Sequence, residues 1–258
     1  MMSAALLEAR DLAVAIGGRV LCRGLDLTLR CGERLAILGR NGAGKSTLLA
    51  TLAGLRDPAA GEVLLDGQSY TAANPRQTAR RRGWLPQASY DAFASTVLET
   101  ALVGRHPHIG RWAWEGEQDF AIARAALAST SLAGLEQRTV HSLSGGERQR
   151  LALATLLTQQ PALYLLDEPL AHLDLNYQIA TLELFAAEAR DRNAACVMVL
   201  HDPGLAARYC DTALLLFGDG EWLAGPSAEV VTTENLSRLY AHPLRELRDG
   251  EQRWFVPA

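Results

Sequence analysis

Strand-like patterns of apolar and polar positions dominate the first third of the chain. Residues 6–38 read as β-strands, and the last of them, 34–38 (RLAIL), is a nearly continuous apolar run of strand length. A glycine-rich stretch follows, and residues 46–55 then carry the apolar spacing of a helix. A turn at 57–61 leads into further predicted strands that extend to about Gln87. The pattern therefore predicts a buried strand joined to a helix by a tight loop.

The middle of the chain changes to a helical pattern. Residues 96–104 and 119–129 are predicted helices, and a loop rich in Gly, Pro and Trp, 106–116, separates them. From 143 to about 223, helical stretches alternate with apolar runs of strand length, as a parallel sheet requires. A helical tail is predicted at about 233–240. The whole pattern indicates the α/β class with a helical insertion.

Composition places the chain among globular proteins and excludes several other classes. Of 258 residues, 48% are hydrophobic and 21% are charged, which excludes a disordered or collagen-like chain. The formal net charge of -4 argues against a protein that mainly binds nucleic-acid phosphates, so we expect no nucleic-acid partner. The longest apolar runs fall short of the roughly 20 residues that a membrane span needs. The first residues lack a basic leader, so we expect no signal peptide and a cytoplasmic location.

The glycine-rich loop has the pattern of a phosphate-binding loop. Residues 39–47 (GRNGAGKST) match G-x-x-x-x-G-K-[ST] between a predicted strand and a predicted helix, and such loops bind phosphates through backbone N–H groups and the helix N-terminus. Of the 25 Lys and Arg residues, only Lys45 is a lysine, and it is placed to reach the outer phosphates. The Ser46 hydroxyl is a predicted Mg²⁺ ligand. The predicted nucleotide-binding residues here are Gly39, Asn41, Gly42, Gly44, Lys45, Ser46 and Thr47.

Two later apolar runs end in polar side chains that are suited to phosphate chemistry. The run 162–166 (ALYLL) is followed by Asp167 and Glu168, and the carboxyl ends of parallel strands meet at one edge of a sheet. We expect Asp167 to bind Mg²⁺ and Glu168 to orient or deprotonate the water that attacks the γ-phosphate. The run 196–200 (CVMVL) ends in His201, which is either a hydrogen-bond donor to that phosphate or a structural histidine.

The segment 143–157 (LSGGERQRLALATLL) begins with a helix start signal. Ser144 and Glu147 have the spacing of a capping box, and the apolar positions that follow give the helix a buried face. Capping does not explain Gly145 and Gly146 in the first turn, where each glycine costs about 1 kcal/mol relative to alanine. Bare backbone at a helix N-terminus allows an anion to approach closely. We therefore expect this helix start to contact a phosphate.

Together these motifs resemble the ATP-binding subunit of ABC transporters. The resemblance rests on LSGGE, GRNGAGKST, WLPQ ending at Gln87, LYLLDEP and His201, and it covers nearly the whole chain. It implies a single ABC ATPase domain with a P-loop NTPase (RecA-like) core and an N-terminal antiparallel β subdomain. The core would comprise 1–87 and 149–258 with a C-terminal helical tail, and 88–148 would be an inserted α-helical subdomain that carries the signature motif.

The resemblance also implies a head-to-tail dimer of two identical chains with ATP and Mg²⁺ as cofactors. Each ATP would lie between Lys45 of one chain and Ser144, Gly145 and Gly146 of the other. Other roles are implied as well. Gln87 would link the γ-phosphate and Mg²⁺ to the helical subdomain, and His201 would be the switch histidine. Asp174 would communicate across the dimer, and hydrolysis at Glu168 would reopen the dimer. The implied partners are membrane permease subunits and, indirectly, a solute-binding protein. The chain would lie peripherally on the cytoplasmic face of the membrane.

The sequence departs from the family pattern near its N-terminus. Where the family usually places an aromatic ring under adenine, the matching stretch LAVAIGGRVL offers Ile16. An aliphatic contact lacks the additional aromatic contribution of about 0.5–1.5 kcal/mol. We therefore predict modest discrimination between nucleobases. A second departure, Glu147 in place of the glutamine often found there, is expected to be tolerated.

Three segments resemble one branch of the family. GRHPHIG (104–110), HLDLNYQ (172–178) and VLHDPGLAARYCD (199–211) are similar to ATPases of siderophore, haem and cobalamin importers. They favour import of an iron or cobalt chelate over other solutes. His106 and His108 alone are a poor metal site, because no further ligands lie nearby in the sequence.

Several alternatives stay open at the level of sequence. The chain could be a soluble ABC ATPase without transport, as in iron-sulfur cluster assembly, or an importer ATPase for a different solute. A phosphate-binding regulatory module without turnover would make Glu168 dispensable. The triplet Arg80, Arg81 and Arg82 is interpreted as a solvated charge run, with contact to a permease or to anionic lipid as the alternative.

Overall fold

The structure is a computed structural model that describes residues 5–87, 95–110, 112–250 and 252–258. The strands are β1 (Ala5–Ile16), β2 (Arg19–Arg30), β3 (Arg34–Gly39), β4 (Ala60–Leu65), β5 (Gln68–Ser69), β6 (Arg82–Leu85), β7 (Leu163–Asp167), β8 (Ala195–Val199), β9 (Thr212–Leu216), β10 (Trp222–Pro226), β11 (Leu244–Asp249) and β12 (Gln252–Pro257). The helices are α1 (Lys45–Leu52), α2 (Pro75–Arg81), α3 (Val97–Leu102), α4 (Glu117–Ser129), α5 (Gly145–Gln159), α6 (Leu175–Arg192), α7 (Pro203–Tyr209), α8 (Ser227–Val230) and α9 (Thr233–Tyr240). No described helix is both long enough and apolar enough to span a bilayer.

The central sheet has the strand order β10-β9-β3-β8-β7-β6 and is parallel except for β10. Its middle strands are mostly apolar, with polar residues only at their ends, because both faces of the sheet are covered. On β3, Ala36 and Leu38 face one core layer, which includes the helices from α3 to α9, while Leu35 and Ile37 face the other, which includes β1, β2 and α1. This arrangement brings the carboxyl ends of β3, β7 and β8 to one edge of the sheet.

A second sheet, of order β2-β1-β4-β5, is antiparallel and lies over the α1 side of the core. Its first hairpin turns through Gly17 and Gly18, whose φ angles of 55° and 79° favour glycine. Ile16 is paired with Arg19 directly across this turn. The parallel central sheet and this antiparallel sheet together confirm the predicted α/β fold class with a P-loop core.

The predicted helices of the middle segment are present with small differences in their bounds. Thr96 caps α3, which runs into a 3₁₀ turn at Val103–Arg105, and α4 begins at Glu117, two residues before its predicted start. Helices α3, α4 and α5 pack on one another. Residues 88–94 of the predicted insertion lie outside the described residues.

Two elements differ from the sequence prediction. Helix α2 lies where strands were predicted, because Asn74 caps a start with Pro75 in the first turn. Helix α9 has the bounds predicted for the helical tail. The chain then forms the hairpin β11–β12, so the prediction of a purely helical tail was wrong. This hairpin packs on α7, where a Cβ at Gly204 would lie 2.7 Å from the backbone oxygen of Arg253.

The arginine triplet is exposed at two of its three positions, as expected of a solvated charge run, and it also makes contacts within the chain. Arg81 forms a two-pronged ion pair with Asp66, with N–O distances of 2.7 and 2.8 Å. Arg80 donates to the backbone oxygen of Pro107 at 2.7 Å, and Arg82 is half-buried. The preferred interpretation therefore holds for Arg80 and Arg81, which are exposed, whereas Arg82 is partly buried.

Candidate active site

The phosphate-binding loop connects β3 to α1. Its glycines 42 and 44 have φ angles of 77° and 101°, so the loop uses conformations that favour glycine, and α1 begins at Lys45. The Lys45 ammonium donates to the backbone oxygens of Gly39 and Arg40, at 2.9 and 3.2 Å. The side chain is buried, and this burial lowers its pKa, opposed by the charges of the two nearby acids. Lys45 is thus held at the mouth of the loop, and the chain's own acceptors use only part of the hydrogen-bonding capacity of its ammonium.

The strand β7 delivers Asp167 to the start of α1. The Ser46 hydroxyl donates to a carboxylate oxygen of Asp167 at 3.0 Å, across 121 positions of sequence. Asp167 is buried, and burial raises the pKa of its carboxyl, while the Ser46 hydrogen bond and the Lys45 charge oppose the rise. A hydroxyl and a carboxylate beside a phosphate loop are the hard oxygen ligands that Mg²⁺ prefers. The donor set therefore fits the predicted metal.

Glu168 and His201 meet at the ends of neighbouring strands. Asp167 pairs with Val199 in the register of β7 and β8, so the residues that follow these positions emerge at the same edge. His201 Nε2 lies 2.9 Å from Glu168 Oε1. Glu168 has a φ of 52°, a conformation that is uncommon for a residue other than glycine and that turns the chain sharply after the strand. The structure therefore joins the two predicted catalytic side chains directly.

One pocket collects most of the predicted nucleotide site. Its lining residues are Ile16, Arg19, Leu21, Asn41, Gly42, Gly44, Lys45, Ser46, Thr47, Gln87 and Glu168. Gly39 lies buried behind the loop, Asp167 reaches the site through Ser46, and His201 reaches it through Glu168. Arg19 and Leu21 were not predicted. Arg19 and Leu21 alternate on the strand that follows the Ile16 turn, and this two-residue spacing could have predicted that both side chains lie on one face of the strand.

The signature residues lie elsewhere. Ser144 and Glu147 form the predicted capping box at the start of α5, with N–O distances of 3.2 and 2.8 Å. Ser144 and Gly145 are exposed, and neither they nor Gly146 line the pocket that contains Lys45. Asp174 caps α6 and also lies outside that lining.

The segment 104–110 is occupied by contacts within the chain. We call Gly104, Arg105 and His108 the clasp, because they join the 3₁₀ turn after α3 to the end of α5. Arg105 forms an ion pair with Asp119 at 2.8 Å and donates to the backbone oxygen of Thr158 at 3.2 Å. The guanidinium is buried, so this pair fixes the start of α4 against α5.

The other two clasp residues also contact α5. Nε2 of His108 lies 2.8 Å from the backbone oxygen of Gln159, which leaves His108 poorly placed to share a metal ion with His106. A Cβ at Gly104 would lie only 2.2 Å from the backbone oxygen of Thr155. Gly104 is therefore required by the close approach of two backbones rather than by chemistry.

Lys45 can be tested as a pocket residue by amine labelling, because it is the only lysine of the chain. We expect acetic anhydride to acetylate Lys45, and saturating ATP to slow this by about tenfold or more, since bound ligand competes by mass action. Peptide mass spectrometry measures the rate, with acetylation of the α-amino group as the internal control. Equal rates with and without ATP would contradict the assignment.

Comparisons with known proteins agree with this geometry. The family model described as ABC transporter matches residues 22–171. The hemin import ATP-binding protein HmuV of Nocardia farcinica is 44% identical over 93% of this chain and 84% of its own length. The cobalamin import ATP-binding protein BtuD of Halobacterium salinarum (strain R1) is 39% identical over 89% of this chain and 57% of its own length.

A solved structure supports the same conclusion. A metal-chelate type ABC transporter in an inward-facing conformation has a chain that is 30% identical, with a TM-score of 0.85, and the match covers 99% of this chain and 98% of that one. These matches confirm the resemblance inferred from the motifs. The chain therefore belongs to the ABC transporter family and is one of its ATPases.

Proposed function

We propose that this chain is the ATP-hydrolysing subunit that energises a separate membrane permease for import of an iron or cobalt chelate of the haem, siderophore or cobalamin type. The observation that carries the proposal is one pocket lined by the phosphate loop and Glu168, in which Ser46 is hydrogen-bonded to Asp167. The nature of the solute is supported by the relatives, whose names describe hemin and cobalamin import.

The triphosphate would be bound by the backbone N–H groups of the loop and by Lys45. Its ammonium already donates to two carbonyl oxygens and has a third N–H for a phosphate oxygen. Ser46 and Asp167 would hold Mg²⁺ with Gln87 nearby on the pocket wall. When bound, the ion supplies positive charge to the phosphate oxygens.

Glu168 would act on the attacking water. As the water oxygen bonds to the γ-phosphorus, the bond to the β–γ bridging oxygen breaks, ADP leaves, and Glu168 accepts a proton from the water. His201, whose Nε2 lies 2.9 Å from Glu168 Oε1, would orient the Glu168 carboxylate and hydrogen-bond the same phosphate.

A second copy of the chain would complete the site. Supporting this, Ser144 and Gly145 are exposed at the N-terminus of the 15-residue helix α5, and a Cβ at Gly145 would have no neighbour within 4 Å. A helix start with bare backbone attracts an anion. Each chain would thus present its own Lys45 to one ATP and its own Ser144, Gly145 and Gly146 to the other, with Asp174 near the contact between copies.

The permease would occupy an apolar groove beside Gln87. This Trp84 groove lies between β6, α3 and α5, and its walls include Trp84, Val103, Pro107 and Leu151. Because Trp84 lies three residues before Gln87, force on the groove can reach the nucleotide pocket over a short path. The lack of a described membrane-spanning helix leaves the translocation path to another chain in this proposal.

The proposal is tested by purifying the chain with its associated proteins from native membranes. We expect permease subunits in the captured assembly, and faster ATP hydrolysis when one iron or cobalt chelate with its binding protein is added. The chain purified alone is the control, and it should not respond. Stimulation by an unrelated solute, with no response to any such chelate, would overturn the assignment of the substrate class.

Base selectivity provides a separate prediction. Ile16 is 49% exposed in the pocket and provides no ring for adenine. We expect GTP to be hydrolysed at a rate within about tenfold of ATP, because Ile16 offers apolar contact without the additional aromatic contribution of about 0.5–1.5 kcal/mol, and little base-binding energy is left in which the two nucleotides could differ. Competition between the two nucleotides in one reaction measures the ratio. A strong preference for ATP would refute this prediction.

A further inference from the structure

The nucleotide pocket has a wall that the sequence motifs do not explain. Ile16 and Arg19 are paired across the two-glycine turn of the first hairpin. Residues paired in this way have neighbouring side chains on one face of the hairpin. Both side chains line the pocket that contains Lys45. The hairpin therefore brings an aliphatic side chain and a guanidinium to the same wall.

The guanidinium of Arg19 is anchored beside the phosphate loop. Nη2 of Arg19 donates to the backbone oxygen of Gly218 at 2.6 Å. Gly218 lies close to the loop as well, since a Cβ there would be 3.5 Å from Cα of Ala43. This bond spans 199 positions of sequence and restricts where the guanidinium can lie. Arg19 is thus an exposed side chain whose charged end is held at the pocket rather than free in solvent.

We propose that Arg19 contacts the nucleobase of bound ATP, with its planar guanidinium stacked on the base where this chain lacks an aromatic ring. The proposal rests on ATP occupying this pocket. With the phosphates at the loop, the base would lie against another part of the pocket lining, which includes Ile16 and Arg19 as paired residues of the first hairpin. Arginine stacks on aromatic faces through its delocalised cation, which a compact ammonium does less well.

This contact accounts for weak base selectivity. Stacking uses the face of the base and does not read its exocyclic groups, so adenine and guanine both satisfy it. Ile16 adds apolar contact on the same wall without hydrogen bonds. The pair Ile16 and Arg19 thus binds a purine without selecting one.

The test separates contact with the base from contact with the phosphates. Dissociation constants of Arg19→Gln are measured for ATP and for inorganic tripolyphosphate, both with Mg²⁺. We expect ATP affinity to fall about two- to fivefold, as an exposed cation–π contact predicts, and tripolyphosphate affinity to stay unchanged. The matched control is Arg23→Gln, because Arg23 is an exposed arginine of the same strand that lies beside Gly220 and not in the nucleotide pocket. It should leave both constants unchanged.

Two further variants distinguish stacking from charge. Arg19→Tyr should retain most of the ATP affinity because a ring replaces the guanidinium plane, whereas Arg19→Lys should lose it despite keeping the charge. Melting temperatures verify that each variant is folded. Equal losses for ATP and tripolyphosphate, full rescue by lysine, or no change in Arg19→Gln each overturn the proposal. A wild-type chain that binds no ATP would instead contradict the proposed function itself.

Discussion

Replacing Glu168 by Gln is expected to lower ATP turnover by about two to four orders of magnitude, the usual contribution of a general base. The amide has the shape of the carboxylate and can still accept a hydrogen bond from His201, which lies 2.9 Å away in the wild type. It cannot take a proton from water. ATP should remain bound, and chains should accumulate as dimers because the reopening step is blocked. Phosphate release measures turnover, and light scattering after gel filtration measures the dimer.

The matched control for this experiment is Glu147→Gln. It makes the same chemical change at a residue that caps α5, and a glutamine preserves a capping box. We expect near wild-type turnover from this variant. If Glu168→Gln instead hydrolyses ATP nearly as fast as the wild type, Glu168 is not the base, and the proton of the attacking water must go to another acceptor.

Replacing Lys45 by Arg is expected to weaken ATP binding by about 10- to 100-fold, which corresponds to one or two charge-assisted hydrogen bonds. The net charge does not change, so this variant tests whether the site depends on the shape of the cationic group. The Lys45 ammonium fits between the backbone oxygens of Gly39 and Arg40, and a planar guanidinium is too broad for that position. Titration with a fluorescent ATP analogue measures the loss.

A second variant distinguishes a direct loss of ATP binding from misfolding of the chain. Lys45→Met removes the charge but keeps the length of an unbranched side chain, so the buried stem can still pack. We expect it to bind ATP at least as weakly as Lys45→Arg while unfolding at a temperature near that of the wild type. Binding within about twofold of the wild type in both variants would exclude a direct phosphate contact, because even a weak charged hydrogen bond is worth more.

The geometry of the candidate site was largely predictable because its polar residues follow the carboxyl ends of buried strands. Runs of apolar residues that end in Gly39, in Asp167 and near His201 are buried parallel strands, and such strands end at a common edge. The Ser46–Asp167 contact follows from this rule although 121 positions separate the two residues. Sequence reasoning thus reached the pocket without knowing the order of the strands.

Other features depend on tertiary contacts that the sequence pattern does not carry. The hairpin β11–β12 pairs a strongly charged strand (LRELRD) with a strand that has one charged residue (QRWFVP), and its partner surface on α7 is distant in sequence. Arg19 was missed because its significance depends on the pairing with Ile16 and on the approach of Gly218. The arginine triplet is largely exposed as predicted, but its contacts with Asp66 and Pro107 depend on residues that the sequence does not place beside it.

The clasp has a practical consequence for constructing chimaeras. Its three residues lie against backbone carbonyl oxygens at the end of α5, and Arg105 also pairs with Asp119. These contacts form only when both the loop and its partner segments are present. A graft that moved 104–110 alone into another ATPase would import the Arg105 guanidinium without Asp119, whereas the acceptors on α5 are backbone oxygens that a host helix ending at the same place also offers. The unit of exchange is therefore the loop together with the start of α4, and a boundary that separates Arg105 from Asp119 should yield poorly folded hybrids.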